Sequence, residues 1–127
     1  DHDYFKTVHD SLANLSAELL KEWFTNLNLQ NVTFHEQEHE LATYCKKISK
    51  DELYLNPKDS SDVNFSKIRA FSPLPGAYTL CDQKRVKIIS AILKDGIILP
   101  TQVKPEGKKL MSYDDYKLGY QKDIHIC

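Results

Sequence analysis

Two groups of cations are spaced so that they could act together. Lys84, Arg85 and Lys87 fall within the stretch KRVK, and Lys104, Lys108 and Lys109 surround the tripeptide Pro105-Glu106-Gly107. In an alternating stretch, residues two apart share a side. Arg85 and Lys87 therefore face one way, and Val86 and Ile88 the other. Ammonium and guanidinium groups on a strand face make and break no bonds; they hold polyanions, phosphate oxygens above all. If the strand and the Pro-Glu-Gly turn are neighbours in one sheet, the six cations form one basic face. The plainer alternative is a lysine-rich face covered by water. Lys46, Lys47 and Lys50 form a third group, which either extends this basic track or is ordinary surface. Arg69 reads as a structural arginine that bonds the carbonyls of the proline corner following it.

Other chemistries find less support. His35 and His39 are four apart, but Glu36, Glu38 and Glu40 crowd them and no third ligand pattern follows. Structural zinc needs about four ligands, so no metal is expected. Cys45, Cys81 and Cys127 are odd in number, widely spaced and free of any C-x-x-C. Reduced thiols are the expectation rather than a disulfide framework. No local motif pairs Cys45 or Cys81 with a histidine as a nucleophile, and no catalytic residue is assigned. Tyr78, Tyr113 and Tyr116 read as core and edge packing.

The elements that must position these residues are legible as changes of period. The chain has 127 residues, 41% hydrophobic and 28% charged, the composition of a soluble globular domain with room for an appendage. No apolar run approaches ~18 residues, so no membrane span is expected. Asp1-His2-Asp3 is acidic where a secretory leader would be basic. The only methionine is Met111, and the chain reads as a piece of something longer. Its net charge of −1 is unevenly spread. Residues 1–41 hold two basic and eight acidic residues, net −6, and residues 42–127 hold fifteen basic and ten acidic, net +5. A basic segment behind an acidic one points to a polyanion partner for one part.

Residues 4–28 predict an amphipathic helix. Val8, Leu12, Leu15, Leu19, Trp23 and Leu27 recur at helical spacing, with Thr7 and Asp10 as its start signal. Residues 28–41 read as a polar, acidic linker in which Val32 and Phe34 form at most a brief extended piece. A short helix follows over about 61–71, capped by Ser60 or Ser61 and ended by Pro73. The period then becomes two. AYTL, RVKIISAIL and IILPTQV predict strands joined by turns at Asp82-Gln83 and Lys94-Asp95-Gly96. Ser112 caps a final helix, SYDDYKLGY, that Gly119 ends. The fold class expected is mainly β with helices, α+β: a small antiparallel meander behind a long amphipathic helix and a linker.

Three strings in order, IRAFSPLPGAYT, KRVKIISA and QVKPEGKKLMSYDDYKLGY, resemble the C-terminal domain of methionyl-tRNA formyltransferases. LATYCKKISKD, residues 41–51, is similar to the segment that opens that domain. VHDSLANLSAELLKEWFTNL is similar to the last helix of the family's catalytic domain. The resemblance implies a domain order: residues 1–28 as that terminal helix, 29–41 as linker, and 42–127 as an OB-like, open β-barrel. It also implies tRNA-backbone binding by Lys84, Arg85, Lys87, Lys104, Lys108 and Lys109, with Lys46, Lys47 and Lys50 behind them. The partners implied are initiator methionyl-tRNA and the protein's own N-terminal catalytic domain. That absent domain would hold the formyl donor 10-formyltetrahydrofolate, and this chain carries none of its motifs. Cytoplasmic placement follows, or an organellar matrix in a eukaryote. Two departures stand out. The strand-rich insert that the family places before the Pro-Glu-Gly turn is shortened here to one hairpin. Lys104 replaces the usual glutamine, and Leu74 the usual aromatic. The tail of a sugar-nucleotide N-formyltransferase is one alternative. The other is a non-enzymatic module that pairs two copies through the stripe of residues 8–27.

Overall fold

The computed structural model describes residues 3–27 and 32–126. Asn28, the last residue of the expected first helix, and Cys127 lie outside them. The described elements are helix α1, Phe5–Asn26; a single 3₁₀ turn, His39–Leu41; helix α2, Ser61–Phe71; strands β1, Tyr78–Cys81, β2, Lys84–Lys94, β3, Ile97–Pro105, and β4, Met111–Ser112; and helix α3, Tyr113–Tyr120. The four strands form an antiparallel meander in the order β1-β2-β3-β4. This is the α+β architecture expected: a small, open β domain preceded by a helix.

Turn chemistry fixes the register. Asp82 and Gln83 have φ of 50° and 63°, and Asp95 and Gly96 have 51° and 76°. Two successive positive φ values belong to the two-residue hairpin turn whose twist matches that of its strands. The first turn sets Cys81 against Lys84, and the second sets Lys94 against Ile97.

Strand β2 is longer than its neighbour β1, which pairs with it only over Lys84–Lys87. Beyond that stretch the Ile88 amide still donates to the Ala77 carbonyl at 2.9 Å, and side chains then take over. The Ser72 hydroxyl donates to the Ile89 carbonyl at 2.5 Å. The Tyr4 hydroxyl donates to the Ala91 carbonyl at 3.1 Å and accepts from the Ala91 amide at 3.0 Å. Backbone polar groups away from water need such partners. They stand beside the irregular register that β2 shows between Ile88 and Ala91. On the far side of β1, Leu53–Leu55 adds a short parallel pairing. Tyr78 donates to the Leu53 carbonyl and accepts from the Leu55 amide, each at 2.8 Å.

The core lies on one face of this sheet, under α2 and α3. Leu55, Phe65, Ile68, Val86, Ile88, Val103 and Tyr116 are buried there. The tail after α3 closes it. Ile124 and Ile126 are buried, the Tyr113 hydroxyl accepts from the Ile124 amide at 2.9 Å, and the Asn64 amide group donates to the carbonyls of Asn56 and Ile126. Helix α1 is different. None of its residues is buried, and Leu12 and Leu19 are each 57% exposed. Hydrogen bonds tie it to the domain at its entry, through Tyr4 and through the Asp3 carbonyl, which accepts from Arg69 Nε at 3.0 Å. Among the described residues, no helix is long and apolar enough to cross a membrane.

Five expectations change. Helix α1 starts at Phe5 with Tyr4 as its N-cap, not at Thr7 and Asp10, because the anchored Tyr4 fixes where the chain enters. Residues 32–38 hold no strand, and Phe34 stands exposed. Arg69 bonds the Asp3 carbonyl and lies over the Phe65 ring; the proline-corner carbonyl of Pro75 accepts from Lys87 instead. Gly119 lies inside α3. Gln121 ends that helix in the left-handed conformation, φ 52°, and its amide bonds back to the Lys117 carbonyl. Strand β4 and the parallel edge at Tyr54 were not expected; both are too short to show a period.

Tyr4→Phe removes one group that serves both a donor and an acceptor on β2. We expect a loss of about 1–3 kcal/mol in urea unfolding, the cost of stranding buried backbone groups. Phe5→Leu, on exposed α1, should change stability by less than about 0.5 kcal/mol.

Candidate nucleic-acid interface

The basic face follows from strand parity. Val86 and Ile88 of β2 and Val103 and Pro105 of β3 point into the core. Arg85, Lys87 and Lys104 therefore project from the opposite, outer side. Register sets Lys87 directly opposite Lys104. Like charges at such a position repel, and the side chains diverge. Lys87 Nζ turns back to donate to the Pro75 carbonyl at 2.6 Å, while Lys104 stays exposed. The Lys87 stem runs over Gly76. A Cβ there would lie 3.0 Å from Lys87 Cδ and 3.3 Å from the Pro73 carbonyl, and Gly76 has φ +86°. Glycine is thus required at that corner both for space and for backbone conformation.

Arg85 is held differently. Its guanidinium lies over the Tyr78 ring at 5.0 Å, and that ring packs against Tyr54 at 5.7 Å between centroids. Stacking fixes the plane of the guanidinium and leaves its N–H edges available. The Pro-Glu-Gly turn is pinned beside it. The Glu106 amide donates to the Arg85 carbonyl at 2.9 Å, the Arg85 amide reaches the Glu106 carboxylate at 3.5 Å, and the Lys108 amide donates to the Pro105 carbonyl at 3.1 Å. Lys108 and Lys109 follow from that turn, both exposed.

The structure thus brings together Arg85, Lys87, Lys104 and the Lys108–Lys109 turn. Lys84 has the other parity. It shares the Val86 side and opens onto a cleft that Arg85, Lys108 and Lys122 also line. Lys46, Lys47 and Lys50 lie on the exposed irregular segment ahead of the sheet. Lys122 escaped the sequence reading. It lies in the tail, where only the alternation of Ile124 and Ile126 signals a return to the core. Its ammonium pairs with the Asp82 carboxylate. Beneath the cleft, burial and the neighbouring Cys81 push the Tyr116 hydroxyl's pKa up, so it stays neutral. The Cys45 and Cys81 thiols are free. A face of this kind can grip a phosphate backbone.

Residues 47–96 match the profile of the family described as the formyl transferase C-terminal domain. Relatives carrying the name methionyl-tRNA formyltransferase extend the likeness. The one from Carboxydothermus hydrogenoformans is 30% identical over 87% of this chain and 44% of its own length. That from Rickettsia bellii is 28% identical over 92% and 45%. That from Kosmotoga olearia is 36% identical over 73% and 30%. The chain spans about half the length, or less, of the curated relatives it matches. The alignment to the Staphylococcus epidermidis relative runs over 148 positions. That is 21 more than the 127 residues here, so the relative carries segments that this chain lacks.

Lys87 and Lys104 should separate by stability. Lys87→Met keeps the stem over Gly76 and loses the bond to Pro75, and should cost about 1 kcal/mol. Lys104→Met removes an exposed like charge and should stay within about 0.5 kcal/mol of the parent. Urea denaturation of the two variants side by side checks this.

Proposed function

Residues 47–96 belong to the formyl transferase C-terminal domain family, and from that premise we propose that this chain is the C-terminal part of a methionyl-tRNA formyltransferase. The intact enzyme would move a formyl group from 10-formyltetrahydrofolate to the amino group of methionine on initiator tRNA, in the cytoplasm. This part would bind the tRNA and catalyse nothing. The observation that carries the reading is the outer face of the sheet. Arg85, Lys87 and Lys104 lie there on adjacent strands, opposite the core, beside the Lys108–Lys109 turn. Backbone phosphates are what such a face engages, and contacts to them position an RNA by shape without reading its bases. Lys84 at the β1–β2 hairpin and Lys46, Lys47 and Lys50 ahead of the sheet would meet phosphates further along.

Within this reading residues 1–28 are the last helix of the catalytic domain, 29–41 the linker and 42–127 the RNA-holding domain. The apolar stripe of α1 supports that division. Val8, Leu12, Leu19 and Trp23 are all exposed, and large contiguous apolar patches mark surfaces that pack on something. The N-terminal half of the enzyme would cover them. The same stripe favours one rival: pairing of two copies through α1.

Binding of labelled initiator tRNA across a salt series tests the proposal. With about four phosphates neutralised, affinity should fall roughly 100-fold between 50 and 200 mM salt. An Arg85→Ala/Lys104→Ala double variant should flatten the log–log slope by about two. No binding at low salt, or a slope that the variant leaves unchanged, would overturn the reading. Light scattering that shows a dimer, dissociated by Leu19→Asp, would support the pairing rival for α1.

A further inference from the structure

The cleft on the core side of the sheet has features that phosphate gripping does not use. It has a volume of about 340 Å³ and lies between the β1–β2 hairpin, the Pro-Glu-Gly turn and the end of α3. One wall is a stack of two tyrosines, Tyr116 and Tyr120, with centroids 4.6 Å apart and planes within 20°. Tyr116 is buried, while Tyr120 is 40% exposed and lines the cleft. Tyr120 thus has one ring face on Tyr116 and keeps part of its surface open. The rim carries Lys84, Lys108 and Lys122. The Asp82 carboxylate is taken by Lys122, and that of Glu106 by the Arg85 amide. Among the described residues, Lys84 and Lys108 have no carboxylate within ion-pair distance.

We propose that this cleft is a subsite for one unpaired nucleotide of the bound RNA, its base stacked on Tyr120 and its phosphate between Lys84 and Lys108. The inference rests on the tRNA-holding reading above and adds a ligand class to it. An aromatic face beside two free ammonium groups matches the two chemical halves of a nucleoside 5′-phosphate, and stacking accepts any base. The volume is near the lower end of small-molecule pockets, ~300–1,000 Å³, which suits one nucleotide. Lys108 stands where the outer basic face and the cleft meet. A backbone tracked along Arg85 and Lys104 can therefore deliver its next nucleotide over the Pro-Glu-Gly turn.

The test uses the 127-residue chain, isotope-labelled for NMR, with adenosine 5′-monophosphate and ribose 5-phosphate as probes. The nucleotide should cause saturable shifts at Tyr120, Lys84 and Lys108. Ribose 5-phosphate, which lacks the base, should bind about tenfold more weakly or worse, the scale of one base stack. Tyr120→Leu should weaken the nucleotide by a similar factor and leave ribose 5-phosphate unchanged. Lys108→Gln, an exposed and structurally mild change, should weaken both probes alike. Initiator tRNA should displace the nucleotide. Equal binding of the two probes, no saturable shift in the cleft, or a nucleotide that tRNA fails to displace would each overturn the inference. If tRNA binds with the expected salt slope while the nucleotide does not bind, the subsite alone falls. If tRNA does not bind at all, the tRNA-holding reading falls, and the RNA origin of the nucleotide with it.

Discussion

A long strand with a short neighbour constrains the rest of this domain. Strand β2 is 11 residues long, and β1 covers only its first four positions on one side. The remaining backbone groups on that edge must find partners or water. Ser72 and Tyr4 supply them from two distant parts of the chain. Ser72 belongs to the proline corner after α2, and Tyr4 precedes α1. One edge therefore fixes where α2 ends, where α1 begins and which way β2 presents its alternating side chains. The basic face is a consequence. Once Val86 and Ile88 are committed to the core, Arg85 and Lys87 have only the outer side left.

The cations on that side are prepared unequally. Arg85 is stacked on Tyr78, which leaves its polar edges open. Lys87 spends one of its donors on the Pro75 carbonyl, so it is partly structural and is a poor choice for a clean binding variant. Lys104 faces it from the next strand with no such tie and carries the sharper signal. The turn that bears Lys108 and Lys109 is held to β2 by the Glu106–Arg85 backbone bond, which places exposed ammonium groups on a fixed base. Fixed positions with a free charged end suit phosphate contact, because little order has to be imposed when the ligand arrives.

Much of this was legible before the structure. The two hairpin turns were marked by Asp-Gln and Asp-Gly, the strands by their period of two, and α2 by Ser60 and the proline corner. What escaped notice depends on contacts between residues far apart in sequence. The Tyr4–Ala91 bonds span 87 residues, and the Lys87–Pro75 bond spans 12. No local pattern reports them. Arg69 was read against its nearest carbonyls and proved to serve a residue 66 positions away. Nothing local singles out Lys122, because its partner Asp82 is in a hairpin turn 40 residues earlier. Parity separated Lys84 from Arg85 and Lys87, a division that counting charges along the strand does not make. The exposed stripe of α1 was visible in the sequence as apolar residues at helical spacing.

The central claim is that the outer sheet face and its adjoining turn hold an RNA backbone. Lysine acetylation footprinting tests it most directly. The chain is treated with an amine-acylating reagent at low salt, with and without initiator tRNA, and modification is read by mass spectrometry. The account predicts protection concentrated on Lys104, Lys108 and Lys109, with Lys6, Lys21 and Lys58 modified as in the free chain. Uniform protection, or none, with tRNA bound would contradict it.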